Sequence, residues 1–499
     1  MAKQHEEAMS PWPAHPVIYE INTLVWLTEL SSKYNRTIQL ATIPSEVWDE
    51  IAALKFDAVW LMGVWERSPA GIEIARHNTQ LLADFKRALP GFDLKDIAGS
   101  PYCVRRYEVD AKLGGSAGLA TARRMLRDRG IRLILDFVPN HVAPDHPWLT
   151  EHPAYFVQGT PDDARNDPAS YIAKNGKVFA RGRDPYFPAW PDVVQLNAFH
   201  TGLRQAAFET LLTITSQCDG VRCDMAMLVL NHIFMRTWPD RAGPEPPEEF
   251  WAVIRAVKAL QPDFIFIAEA YWDLERELLQ LGFDFCYDKR LYDRMAHQNA
   301  DSVRQHLLGN RFFQDKSVRF IENHDEPRAA STFADGKGYA AATLMLTLPG
   351  AKLLHEGQLE GRNVRLPVFL GRRPEELTDS DLHAFYKRLL QAVGQDVFRT
   401  GQWVVCERSG WPDNTTYTQV LAWCWVKEEA RYLVVINYSP EPAQALVQVP
   451  LPDLREKEWH LQDLLSAEAY FRNGSQMVEP GLYVAMAPWK SNVFRLEAL

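Results

Sequence analysis

The sequence predicts an α/β chain: a (β/α)8 barrel of the TIM type, a small insertion after its third strand, and a C-terminal all-β sandwich domain. Three observations carry this. Short β-branched or aromatic runs alternate with amphipathic helical segments up to about residue 392. One long stretch rich in Pro, Asp, Gly and aromatics breaks that alternation after the third run. Beyond it all, alternating strands follow one another with no helix between them.

In chain order, VIYEINTLVW (17–26) reads as the first strand, the segment 46–56 as a helix, and DAVWLMGVW (57–65) as the second strand. The amphipathic segment 119–130 ends at a Gly stop signal and leads into IRLILDFVPNH (131–141), the third strand. A helix over 201–217 precedes the strand around DGVRCDM, and a helix over 250–260 precedes PDFIFIAEA (262–270). FDFCYDK (283–289), SVRFIENHD (317–325) and AKLLHEG (351–357) complete eight strands. Such alternation demands parallel strands with right-handed crossovers, and eight units suggest a barrel. The open doubly wound sheet competes, but no GxGxxG follows the first strand. The expected domains are a barrel over 1–141 and 198–392, an inserted subdomain over 142–197 at the barrel mouth, and the sandwich over 393–499.

Composition narrows the function. With 499 residues, 46 % hydrophobic and 24 % charged, the chain is ordinary globular material. Its formal charge of -10 comes with no basic stripe, which argues against a nucleic-acid partner. No long apolar run predicts a membrane span, and MAKQHEEAMSPWPAHP lacks the pattern of a secretory signal. The six cysteines are scattered and form no CxxC pair, so free thiols in a reducing cytoplasm are expected. The 16 Trp and 17 Tyr suit barrel packing, and also the stacking of sugar faces.

Chemistry in such a barrel sits where strands end. Strand three ends in Asp136, with Asn140 and His141 just past it. Strand four ends in Arg222 and Asp224, strand five in Glu269, and strand seven in His324 and Asp325. Carboxylates beside apolar strand residues are costly unless paired or used. Two facing carboxylates are the minimum for glycoside hydrolysis, one to donate a proton and one to attack or to activate water. Arg222 shares a strand face with Asp224 and would keep it ionised. Glu269 follows FIFIA, whose apolar side chains would raise its pKa toward that of a working acid. Asp219 reads as a turn residue at the start of strand four, and Cys223 points away from the barrel interior.

DFVPNH, GVRCD, AEAYWD and FIENHD resemble, in order, the four sequence blocks of the alpha-amylase family. The resemblance covers most of the chain, since that family also has a barrel, a strand-three insertion and a C-terminal β-domain. It implies Asp224 as nucleophile, Glu269 as general acid and then base, and Asp325 as a clamp on sugar hydroxyls. It implies Arg222 as the group orienting Asp224, with His141 and His324 hydrogen-bonding the sugar and Asp136 bracing the site. Tyr102, in GSPYCVRRYEVDAKLGG, would stack under the sugar. The implied partner is an α-glucan or oligosaccharide. The implied reaction is retaining hydrolysis or, with a sugar acceptor, transglycosylation. A non-catalytic relative would have lost its carboxylates, and this chain keeps the set.

The sequence also departs from the family pattern. Met227 and Leu228 stand where many members carry a Lys-His pair for the acceptor sugar, so a different acceptor side is expected. DVVQLN places Gln195 where many amylases have a calcium-binding acid, so no cofactor is required and calcium is not expected. His355, Glu356 and Gln358 are expected at the rim of the mouth.

Overall fold

A computed structural model describes residues 10–499. Much of MAKQHEEAMSPWPAHP, read above as carrying no signal, lies outside the described residues.

Eight parallel strands close into a barrel. They are β1 (Val17–Asn22), β2 (Ala58–Met62), β3 (Arg132–Phe137), β4 (Gly220–Cys223), β5 (Ile265–Ala268), β6 (Phe285–Tyr287), β7 (Ser317–Arg319) and β8 (Ala351–His355). β8 pairs back onto β1 with Glu20 opposite His355, and β1 pairs β2 with Glu20 opposite Trp60. All eight cores of the expected runs are strands, and each is shorter than its run. The reasons are local. Asn22 ends β1 by accepting a hydrogen bond from Val25 N, so Thr23 to Trp26 belong to the helix Thr23–Lys33. Gly63, at φ +76°, ends β2, and Trp65–Arg67 leaves to pair antiparallel with Val104–Val109. A side chain at residue 63 would put its Cβ 2.7 Å from Pro101 Cβ, so only glycine fits this exit. β7 stops after three residues, and His324 and Asp325 stand on the loop beyond it. There Asn323 Oδ1 accepts from the amides of Asp325 and Glu326, both at 2.9 Å, and turns the chain.

The connection after β2 is long and carries the helices Pro69–His77 and Thr79–Ala88. The segment after β3 forms a three-stranded sheet of Gln158–Gly159, Tyr171–Lys174 and Lys177–Ala180. A two-residue ladder ties it to the barrel, with Gln195 opposite His141.

The C-terminal strands make antiparallel sheets of six and three strands around a core of their own. This β-domain is held to the barrel by buried polar contacts. Trp425 Nε1 donates to Thr347 O at 2.7 Å, and the Tyr438 hydroxyl donates to Met295 O at 2.8 Å. All six cysteines are buried free thiols.

Candidate active site

The C-terminal ends of β3, β4, β5 and β7 converge on one buried cluster. Arg222 lies at its centre, 1 % exposed, ringed by Tyr102, Trp60 and Tyr287 at 5.1, 5.4 and 5.8 Å from its guanidinium carbon. Its Nη1 donates to Asp224 Oδ1 at 2.7 Å, and its Nη2 lies 2.6 Å from Glu269 Oε2. One cation therefore serves two buried carboxylates. Burial pushes the Glu269 carboxyl up to about 7, and the neighbouring Asp224 and Asp325 charges add to this against the pull of Arg222. Burial also raises Asp224, with Arg222 opposing it.

The backbone decides which Glu269 oxygen is free. Met225, in the left-handed region at φ +43°, aims its amide at Oε2 at 2.7 Å, the oxygen that Arg222 already touches. Oε1 receives only the Tyr271 hydroxyl at 2.9 Å. A proton on this carboxyl belongs on Oε1, because Oε2 is occupied as an acceptor.

His324 is buried and joins the remaining groups. Its Nε2 lies 2.8 Å from the Tyr102 hydroxyl and 3.0 Å from Asp325 Oδ2, and its Nδ1 meets Glu20 Oε1 of β1. The Tyr102 and His324 rings stack at 5.4 Å. Nearby Asp325 and Glu20 charges hold the His324 imidazole well above its ordinary value against burial. The Asp325 side chain is 48 % exposed and is held well below the usual carboxylate range by His324, then Arg222 and Arg365, despite desolvation. A cavity of about 600 Å³ opens beside His324 and Asp325, between the helix Thr79–Ala88 and the loop 364–369.

Asp136 accepts from Gly63 N at 3.0 Å through Oδ2, while its buried Oδ1 has no hydrogen-bond partner. Burial pushes this carboxyl up to about 6, with Arg222 and the Gly63 amide opposing. His141 packs its ring on Trp190 at 5.2 Å and is driven down to about 4 by burial, so it is neutral near pH 7. The structure thus gathers Asp136, Arg222, Asp224, Glu269, His324, Asp325 and Tyr102, and places His141 at the hinge of the insertion.

Met227 and Leu228 are 0 % and 2 % exposed within the turn Ala226–Val229, packed in the barrel core. Other expectations need correction. His355, Glu356 and Gln358 are buried scaffold. Gln358 bonds the Tyr386 hydroxyl and His355 N, and Glu356 pairs with Arg373. Asp219 is more than a turn residue. Its two oxygens hold Leu133 N at 2.8 Å and Arg123 Nη2 at 2.6 Å, clamping β3 to β4. Sequence reasoning missed Glu20 and Tyr271. A lone acid inside the apolar run VIYEIN was a usable signal for the first; nothing marked the second.

Gln195 decides the fit of a cation at the insertion. Its Nε2 donates to Asn140 O at 2.9 Å, Asn140 Oδ1 at 2.9 Å and Leu196 O at 3.0 Å. An amide N–H2 thus takes up the oxygens a calcium would need, and these residues do not fit one. Among the described residues, no group of three or more His, Cys, Asp or Glu is arranged to hold a metal.

A family model of the alpha-amylase catalytic domain matches residues 45–429, most of the chain. The chain belongs to the alpha-amylase family. Alpha-amylase MalA of Haloarcula japonica is 25 % identical over 451 residues, which cover 86 % of this chain and 56 % of that protein. The chain therefore spans little more than half the length of that relative. Alpha-1,4-glucan:maltose-1-phosphate maltosyltransferase of Rhodospirillum rubrum is 26 % identical over 71 % of this chain and 46 % of its own length. The crystal structure of the noncanonic maltogenic alpha-amylase AmyB from Thermotoga neapolitana superposes with a TM-score of 0.67 at 19 % identity, covering 97 % of this chain and 99 % of that one. The shared fold is thus the alpha-amylase barrel with its C-terminal antiparallel sheet domain.

Proposed function

We propose that this chain is a retaining α-glycoside hydrolase acting on α-linked glucans or oligosaccharides. The observation that carries the reading is the single guanidinium of Arg222 between Asp224 and Glu269. Double displacement needs one ionised carboxylate and one protonated carboxyl in the same site. Two buried carboxylates sharing one cation favour that division, since ionising both leaves a net negative charge in an apolar setting.

Asp224 Oδ attacks the anomeric carbon, and the glycosidic C–O bond breaks. Glu269 Oε1 gives its proton to the departing oxygen, leaving a β-glycosyl ester on Asp224. Water or a sugar hydroxyl then attacks that carbon, hands its proton to Glu269, and releases Asp224. Asp325 and His324 bind the hydroxyls of the cleaved sugar. Tyr102 supports the same subsite through His324, and Asp136 and His141 line its strand-three side. The reaction uses no metal. The six buried thiols suit a cytoplasmic setting.

Transglycosylation is the second reading. Met227 and Leu228, apolar and buried, stand where a Lys-His pair would serve the acceptor, and one relative is named as a maltosyltransferase. A product profile on maltooligosaccharides, pullulan, sucrose and trehalose, with and without acceptor sugars, separates the two.

Asp224→Asn is expected to lower turnover by ~1,000-fold or more while leaving the circular dichroism spectrum unchanged. The first product anomer seen by proton NMR is expected to be α. Wild-type turnover in Asp224→Asn, or an initial β-anomer, overturns the assignment.

A further inference from the structure

We propose that Glu20 is a positioning residue that keeps His324 doubly protonated, so that both ring nitrogens donate and Asp325 is held as an oriented anion. The inference rests on the reading of this cluster as the catalytic site.

The geometry makes the argument. Glu20 is 0 % exposed, on the interior of β1. One of its oxygens meets His324 Nδ1, and the other is buried without a hydrogen-bond partner. On the far side of the ring, Nε2 faces Asp325 Oδ2 at 3.0 Å and the Tyr102 hydroxyl at 2.8 Å. A neutral imidazole carries one N–H and one lone pair. It would satisfy one carboxylate and turn the lone pair on the other. Only the imidazolium donates to both. Asp325 gives the larger attraction from one side of the ring, and the fully buried Glu20 adds a second, little-screened charge on the other.

Other groups face this ring from each neighbouring element. Trp60 of β2 sets its ring edge-on at 5.6 Å. Asp136 of β3 and Asp224 at the end of β4 add negative charge near His324. Arg222 of β4 lies over the Tyr102 ring that stacks on His324, and His355 of β8 lies close but is pushed down to about 3, so it is neutral. Tyr287 of β6 faces Glu20 as a neutral phenol, pushed well above its ordinary value by burial. Removing the Glu20 charge therefore leaves Asp325 as the main charge holding the His324 proton against burial, and that proton is lost at lower pH.

Glu20→Gln keeps the size and an acceptor oxygen, and removes the charge. In the wild type, one proton, that of Glu269, governs the alkaline fall of kcat/KM. In Glu20→Gln a second proton is lost over the same range, and the slope of log kcat/KM against pH steepens from about -1 toward about -2. The loss relative to wild type is expected to be at least ~10-fold greater at about pH 8 than at about pH 5.5. Glu20→Asp restores the charge and is expected to restore the single-proton slope. A uniform loss at every pH, or no loss, overturns the proposal and leaves Glu20 structural.

Histidine-selective nitrogen-15 NMR reads the ring without substrate, with the His324 signal assigned by its disappearance in His324→Asn. Both nitrogens are expected to be protonated at about pH 8 in the wild type, and one deprotonated in Glu20→Gln. A neutral His324 in the wild type also overturns the proposal. Failure here is distinct from failure of the functional reading, which Asp224→Asn tests separately.

Discussion

Replacing Glu269 by Gln is expected to make the protein more stable, by an amount that grows as pH rises from about 4.5 to about 7. Glu269 shares one guanidinium with Asp224 and is 4 % exposed in its side chain. Its carboxyl moves from an ordinary 4.5 to about 7 on folding, chiefly through burial. The folded state therefore binds a proton that the unfolded state releases between those values. Its contribution to stability is fully present below about pH 4.5 and is lost as pH rises through about 7. The difference of 2.5 between those two values, at about 1.4 kcal/mol each, corresponds to about 3 kcal/mol of stability given up at pH 8. A glutamine of the same shape never ionises and escapes that loss. At about pH 4 the group is protonated in both the folded and the unfolded chain, and the two proteins are expected to melt together. At about pH 8 the variant is expected to melt about 3 °C higher, given a melting entropy scaled to a chain of this size. Calorimetry at matched ionic strength reads the difference. A gap that is the same at both pH values, or a less stable variant at pH 8, refutes the claim that the ionised Glu269 is held at a cost. The same reasoning explains the activity expected of the acid: its proton is available below about pH 7 and gone above it.

Gly63→Ala is expected to cost ~1–3 kcal/mol, from a left-handed φ of +76° and a Cβ placed 2.7 Å from Pro101 Cβ, and to disturb the amide that holds Asp136. Gly91→Ala, at φ +67° with open space around it, is the control, and a melting temperature equal for the two variants would refute the steric half of the argument. Activity is expected to survive dialysis against EDTA, because Gln195 offers an amide N–H2 where a calcium needs oxygen. A loss restored by calcium alone would show that the insertion binds one.

The sequence by itself determined the barrel, the C-terminal β-domain and the identity of the acids at the strand ends. The reason is periodicity and cost. Buried parallel strands must be continuous apolar runs, and a carboxylate at the end of such a run is too expensive to be accidental. Glu269 after FIFIA and Arg-Cys-Asp after DGV are legible on those terms. Tertiary structure alone decided what each of those acids faces. Glu20 and His324 are 304 residues apart in sequence and meet only because β1 and β7 flank β8 in a closed barrel. The MAMLVL segment after Asp224 reads as greasy in sequence, yet only its burial shows that it packs the core while the Met225 amide reaches Glu269. Strand ends were also beyond the sequence, because an Asn side chain and one left-handed glycine ended β1 and β2 where the apolar pattern ran on. Local pattern records what a side chain costs to bury; only closure of the barrel fixes which charge stands opposite to offset it.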